Sequence, residues 1–200
     1  KLAFQHHLIP EKIDILYFKT TKRLPDILMP PEIDALFEHL PEGECQLAFN
    51  ILRNTGIRRG ELFRTLKSDY DLSNGILTIQ RGKNYHQRNV PLRQTLIAFL
   101  KRNKIFANRA PDEKLMTIAA NTLTKSINKA KHICGIKKRG SAHILRHSIG
   151  CWMINNGFSE REVQEMLGHE TLEMTKLYTQ VLNTRLKNKI DATDPGKIAE

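Results

Sequence analysis

The feature that most limits what this chain can fold into is the spacing of its apolar residues. From Glu32 to Gln180 they recur at helical intervals in short segments, and only at 76–92 do two extended runs interrupt the pattern. Helices are expected at 32–40, 44–54, 59–66, 94–103, 121–133, 142–156, 160–167 and 171–180. Glycine marks where several of them stop: Gly56, then Gly135, Gly140, Gly157 and Gly168, the residue type a helix C-cap favours. The extended runs, Ile76–Gln80 and Arg88–Leu92, flank a polar stretch containing Gly82, Lys83 and Asn84. They predict an antiparallel hairpin with Lys83 on an exposed tip. The expected fold class is therefore α+β, mostly helical with a small antiparallel β-sheet.

A chain of 200 residues can bury one core, perhaps beside an appendage at one end. The stretch Lys19-Thr-Thr-Lys-Arg-Leu-Pro25 reads as a linker, so a boundary is expected near Pro25, with a main domain over 26–182 and a helix or tail over 183–200. That tail carries a helical stripe, Val181, Leu182, Leu186 and Ile190, suited either to folding back or to docking on a neighbouring subunit. The first residue is Lys1, so residues upstream are expected to be missing. The apolar runs fall far short of the roughly 20 residues that span a bilayer, and no signal-peptide pattern opens the chain, which predicts a soluble protein and no membrane partner. Cys45, Cys134 and Cys151 are odd in number and far apart, which suits a reducing cytoplasm and suggests neither a disulfide framework nor a cysteine zinc site. Lys plus Arg minus Asp plus Glu is 32 − 21 = +11, so the surface attracts a polyanion, and nucleic acid is the first partner to weigh.

Four segments carry residues with chemical potential. Ser141–Ser148 opens a helix in which His143 and Arg146, three apart, share a face near the N-terminus, where free N–H groups and the helix dipole favour an anion. Leu167-Gly-His169 follows a helix begun by a Ser159-x-x-Glu162 capping box, which places His169 in a tight turn. Nine residues on, Tyr178 lies on a helix whose Leu172, Met174 and Leu177 face the core, with the phenol expected to reach outward. In Thr55-Gly-Ile-Arg58-Arg-Gly-Glu61 an arginine follows a glycine turn, and the carboxylate three residues later is placed to hold it rigid. Singly, each has a plainer reading: a solvated basic helix end, a buried structural tyrosine. His143 and His147 are four apart like two zinc ligands, but no Glu lies between them, Arg146 would repel a cation and no third ligand is evident.

Taken in order, these segments resemble the tyrosine recombinase (phage integrase-like) family over most of residues 25–185. Arg58 with Glu61 meets the family's arginine and carboxylate pattern, and Gly82-Lys83…Arg88-Asn-Val-Pro-Leu92 meets its hairpin-lysine frame. His143 to Arg146 matches its H-x-x-R, Leu167-Gly-His169 its L-G-H, and Tyr178 its nucleophile. Arg59-Gly60 departs from the small or aliphatic residue and serine more usual there, and Asn84–Gln87 is an unusual tip; neither removes a motif position.

The resemblance implies a catalytic domain that cuts and rejoins double-stranded DNA through a 3′-phosphotyrosyl link, using neither metal nor ATP. Its site would comprise Arg58, Lys83, His143, Arg146, His169 and Tyr178. Arg58 and Arg146 would neutralise the reacting phosphate, Lys83 would protonate the leaving 5′ oxygen, His143 would help deprotonate Tyr178, and His169 would hydrogen-bond the phosphate. Arg81, Arg88, Arg93, Lys137, Lys138 and Arg139 are expected to grip the DNA backbone. The resemblance further implies a homo-tetramer on paired sites, residues 1–25 as the tail of a DNA-clamping domain, and a bacterial, phage or mobile-element origin. A type IB topoisomerase-like activity and a non-catalytic DNA-binding regulator on the same fold are the alternatives.

Overall fold

The computed structural model describes residues 24–80, 87–169, 175, 176 and 178–180. Among them the helices are α1 (Pro30–Glu38), α2 (Glu44–Thr55), α3 (Arg59–Leu62), α4 (Gln94–Arg102), α5 (Lys104–Asn108), α6 (Ala120–Ile133), α7 (Ala142–Asn155) and α8 (Glu160–Leu167). Three strands, β1 (Tyr70–Asp71), β2 (Ile76–Ile79) and β3 (Arg88–Pro91), form one antiparallel sheet in that order. The α+β reading holds, with a sheet of three strands rather than a simple hairpin. No described helix is long and apolar enough to cross a membrane.

Helix α2 is the centre of the packing. Leu47, Ala48, Phe49, Ile51 and Leu52 are all buried, and α7 is its principal helical neighbour. The leucines, Phe49 and Ile51 each contribute about 1.5–3 kcal/mol through burial, which explains why the α2 pattern is so legible in sequence. In the sheet, Leu77 pairs with Val90 and Ile79 with Arg88, so these four residues share the inner face. This register, not composition, decides where Arg88 points.

Three elements differ from expectation. The helix expected over 59–66 stops at Leu62, because the Thr65 hydroxyl donates to the Leu62 carbonyl and Leu66 is drawn into a bridge with Lys114. β1 and α5 went unforeseen: each is too short to show a period, and α5 forms on the Asn103 side chain, which accepts from the Phe106 N–H. The segments 1–23 and 181–200, and with them residues 19–23 of the linker and the terminal stripe, lie outside the described residues.

Candidate active site

The site is assembled on the C-terminal end of α8. Ser159 starts this helix: its hydroxyl accepts from the Glu162 N–H while Glu162 accepts from the Ser159 N–H, the capping box expected from sequence. At the other end Gly168 turns left-handed, at φ +67°, and the last carbonyls have no partner within the helix. Three arginines take them. Arg88 Nε donates to Met166 O (3.3 Å), Arg146 Nη2 to Leu167 O (2.6 Å) and Arg58 Nη2 to Gly168 O (2.7 Å). The negative pole of a helix attracts cations, and here it gathers three guanidinium groups from three distant parts of the chain.

Each arginine is then fixed by a second contact. Arg146, on α7 and only 5% exposed, also donates from Nη1 to Gly56 O (2.8 Å), so one guanidinium ties the α2 turn to the α8 turn. Gly56 is left-handed at φ +66°, and a Cβ there would fall 2.5 Å from Leu167 Cδ2. A Cβ on Gly168 would lie 2.7 Å from Arg88 Cζ. The close approach therefore needs glycine at both turns.

Glu61 is shared between two of the arginines. Arg58 reaches it through its backbone N–H (2.7 Å) and Nη1 (3.1 Å), and Arg88 grips both carboxylate oxygens at 2.9 and 2.8 Å. Burial pushes the Glu61 carboxyl upward, but Arg88 and then Arg58 outweigh it and hold the group down to about 2. Arg146 is brought down to about 10 by burial and by the charge of Arg58, so it stays protonated. Among the described residues, three arginines against one glutamate leave 3 − 1 = 2 positive charges at this turn. A dianionic group, such as a phosphodiester in a pentavalent state, fits that excess.

Beside the cluster lies the phenol of Tyr178. Its hydroxyl is 3.4 Å from His169 Nε2 and 3.4 Å from His147 Nδ1, and His169 Nδ1 meets the Thr175 hydroxyl at 2.8 Å. The phenol does not reach outward as expected: Tyr178 is 1% exposed. Its ring lies against Gly150 of α7, where a Cβ would fall 2.2 Å from Tyr178 Cε2, so the missing side chain makes the seat. Burial pushes the phenol up to about 12, against the opposing charges of Arg146 and Arg58. Burial also lowers both imidazoles, to about 3 at His169, helped by Arg146 and Arg58, and to about 4 at His147, helped by His143 and Arg146. All three groups are neutral at ordinary pH.

The other sequence-selected residues are spread more widely. His143 is exposed on the first turn of α7, its basicity lowered by desolvation and then by Arg146, Arg59 and Arg58. Among the described residues, the imidazoles that reach the phenol are those of His147 and His169, not His143. Lys83 and Arg81 fall outside the described residues. Arg88, expected to grip DNA, is turned inward onto Glu61, as its place opposite buried Ile79 dictates. Arg93 is exposed and lies over the Trp152 ring, 4.2 Å from its centroid. Lys137 is exposed, Lys138 pairs with Glu32 at 2.5 Å, and the Arg139 N–H donates to Asp26. Reasoning from sequence missed Arg88 as a brace and Gly150 as a seat, and it weighed His147 only as half of a zinc pair. The Arg88/Val90/Leu92 alternation did carry a signal, since two apolar residues on that face imply that Arg88 also points inward.

Known proteins resemble this chain in sequence and in fold. Residues 27–185 match the model of the phage integrase family. A tyrosine recombinase from Pseudothermotoga lettingae is 31% identical over 179 residues, covering 87% of this chain and 62% of the relative. The tyrosine recombinase XerA of Pyrococcus furiosus is 29% identical over 183 residues, 86% of this chain and 63% of its own length. The chain thus spans a little under two thirds of these relatives. Among solved structures, a XerH site-specific recombinase bound to palindromic difH substrate, a post-cleavage complex, superimposes with TM-score 0.70 at 26% identity, covering 84% of this chain and 53% of that one. The catalytic domain of bacteriophage HP1 integrase shares the fold, with TM-score 0.64 at 22% identity, covering 88% and 99% respectively. With the family model matching residues 27–185, most of this chain, and with Arg58, Arg146, His169 and Tyr178 gathered at one helix end, the chain belongs to the phage integrase family.

Proposed function

We propose that this chain is the catalytic part of a site-specific DNA recombinase, in which Tyr178 attacks a DNA phosphate and holds it as a 3′-phosphotyrosyl ester. The observation that carries the reading is the excess of two positive charges at the α8 turn, one residue before the histidine that touches the Tyr178 hydroxyl. Arg58 and Arg146 face the developing charge on the phosphate, with their forks already fixed by carbonyls and Glu61; such preorganisation costs no rearrangement during reaction. Lys83 supplies the proton to the leaving 5′ oxygen, as the family frame implies. One phosphoester replaces another of similar energy, so the step reverses onto a partner strand without ATP.

Lys137, Arg139 and Arg93 are the exposed cations proposed to hold the DNA backbone, with Lys138 beside them. Residues 26–182 form the catalytic unit, acting inside the cell as a homo-tetramer on paired sites with residues 183–200 as a subunit contact. The test uses duplexes that the protein selects from a randomised pool. Plasmids with two such sites should yield recombinant products, and nicked versions should trap a covalent adduct that Tyr178→Phe abolishes. An adduct that persists in Tyr178→Phe rejects the nucleophile, and relaxation without recombinants points instead to topoisomerase-like action.

A further inference from the structure

Two imidazoles lie 3.4 Å from the Tyr178 hydroxyl, which has one proton and so can donate to only one of them. We infer that His147 is the base that takes the phenol proton, while His169 donates a hydrogen bond to the phenol oxygen. This inference rests on the strand-transfer reading above and assigns a role to a residue outside the family motif.

Three observations separate the rings. His169 Nδ1 is held 2.8 Å from the Thr175 hydroxyl; taking that hydroxyl as the donor puts the N–H of the neutral ring on Nε2, on the side of the phenol oxygen. His169 is 6% exposed and faces Arg146, Arg58 and Arg88, whereas half-buried His147 faces His143 and Arg146, so a positive imidazolium is opposed by fewer cations at His147 and can lose its proton to water. His147 also stands three residues before Gly150, so the same face of α7 provides both the seat of the phenol ring and the nitrogen beside its hydroxyl. The His147 and Tyr178 rings meet edge to face, with centroids 5.9 Å apart. Among the described residues, the remaining titratable or charged groups acting on the phenol are Arg146, Cys151 and Arg58. A phenol pushed up to about 12 ionises poorly without a base as it attacks, and His147, lowered to about 4 chiefly by burial, is unprotonated at ordinary pH and becomes more basic as the incoming phosphate offsets the charge of Arg146.

In the reacting step the phenol O–H bond breaks and its proton goes to His147 Nδ1. The phenolate oxygen forms a bond to phosphorus as the bond from phosphorus to the 5′ oxygen breaks, and the leaving oxygen takes a proton from Lys83. Nothing is oxidised or reduced.

The test is single-turnover cleavage of the selected nicked duplex by wild type, His147→Ala, His147→Asn and Tyr178→Phe, with DNA affinity and Tm measured for each. Rates are taken from about pH 6 to about pH 9, on ordinary DNA and on DNA carrying a bridging 5′ sulfur at the scissile phosphate. Both His147 variants should bind DNA normally yet cleave about 10²–10⁴-fold more slowly at neutral pH. The deficit should shrink as pH rises and more phenol ionises unaided, and the sulfur leaving group should not restore the rate. Cleavage by His147→Asn within about threefold of wild type overturns the assignment. So does rescue by sulfur, which would place the missing proton on the leaving oxygen. A wild type that forms no Tyr178-dependent adduct overturns the strand-transfer reading itself, and this inference with it.

Discussion

Half-buried Glu44 and buried Glu61 both hold arginine, yet they do different things with charge. Glu44, in the first turn of α2, accepts from Arg109 (2.7 Å), from the Thr117 N–H (2.7 Å) and hydroxyl (2.5 Å), and from the Ile118 N–H (2.8 Å). One cation and three neutral donors satisfy one carboxylate, so the charge closes on itself and the result is a clasp between α2 and the segment before α6. Glu61 instead serves two arginines, and Arg146 joins them at the same helix end. The two sites share residue type and differ in depth, Glu61 being buried and Glu44 half-buried; what most separates a structural clasp from a candidate catalytic centre is the number of cations per carboxylate.

The largest effects should come from removing cations. Arg146→Ala and Arg58→Ala should each lower single-turnover DNA cleavage about 10²–10³-fold, the usual loss for one preorganised donor. Arg109→Ala, at the clasp, should leave cleavage per folded molecule unchanged. Equal losses at both places would erase the distinction.

Changing the carboxylates comes next. Glu61→Gln leaves two arginines without their counter-charge and should cost about 3–5 kcal/mol by urea unfolding, the range for breaking a buried ion pair. Glu44→Gln should cost less, about 1–3 kcal/mol, because its neutral donors can still find the amide oxygen. Only the first should also slow cleavage in the molecules that stay folded.

How much of this was legible in sequence follows the range of the forces involved. Helices α2, α7 and α8 declared themselves through apolar period, Gly56, Gly168 and the Ser159/Glu162 box, all of which act within a few residues. Arg58, Arg146, His169 and Tyr178 were found by motif, and the structure brings them to one turn. The contacts of Arg88 were not found, since they depend on which residue of β2 stands opposite, a matter of strand register. Nor was the burial of Tyr178, which depends on a side chain absent from another helix, at Gly150. Local signals gave the elements, while the pairing between elements was set by packing at long sequence separation.

The smallest expected effect is in acid. His147 and His169 are depressed from 6.5 to about 4 and about 3, so the unfolded chain binds their protons more readily. The stability they contribute is complete above about pH 6.5 and is lost as pH falls through about 4 and 3. Glu61 behaves likewise between 4.5 and about 2. Tm should therefore begin to fall near pH 6.5, and His147→Asn combined with His169→Asn should delay that onset. Glu44→Gln should alter the curve only below about pH 4.5, where its depressed carboxyl titrates. An onset unmoved by the histidine changes would mean that these rings are not neutral and buried as described.

The most direct measurement is to find the residue that carries the DNA. Adduct trapped on a nicked selected duplex is digested with protease and nuclease, and the nucleotide-bearing peptide is sequenced by mass spectrometry. The account predicts a single phosphotyrosine ester at Tyr178, lost in Arg146→Ala. A nucleotide on any other residue, or an adduct that forms equally well without Arg146, would contradict it.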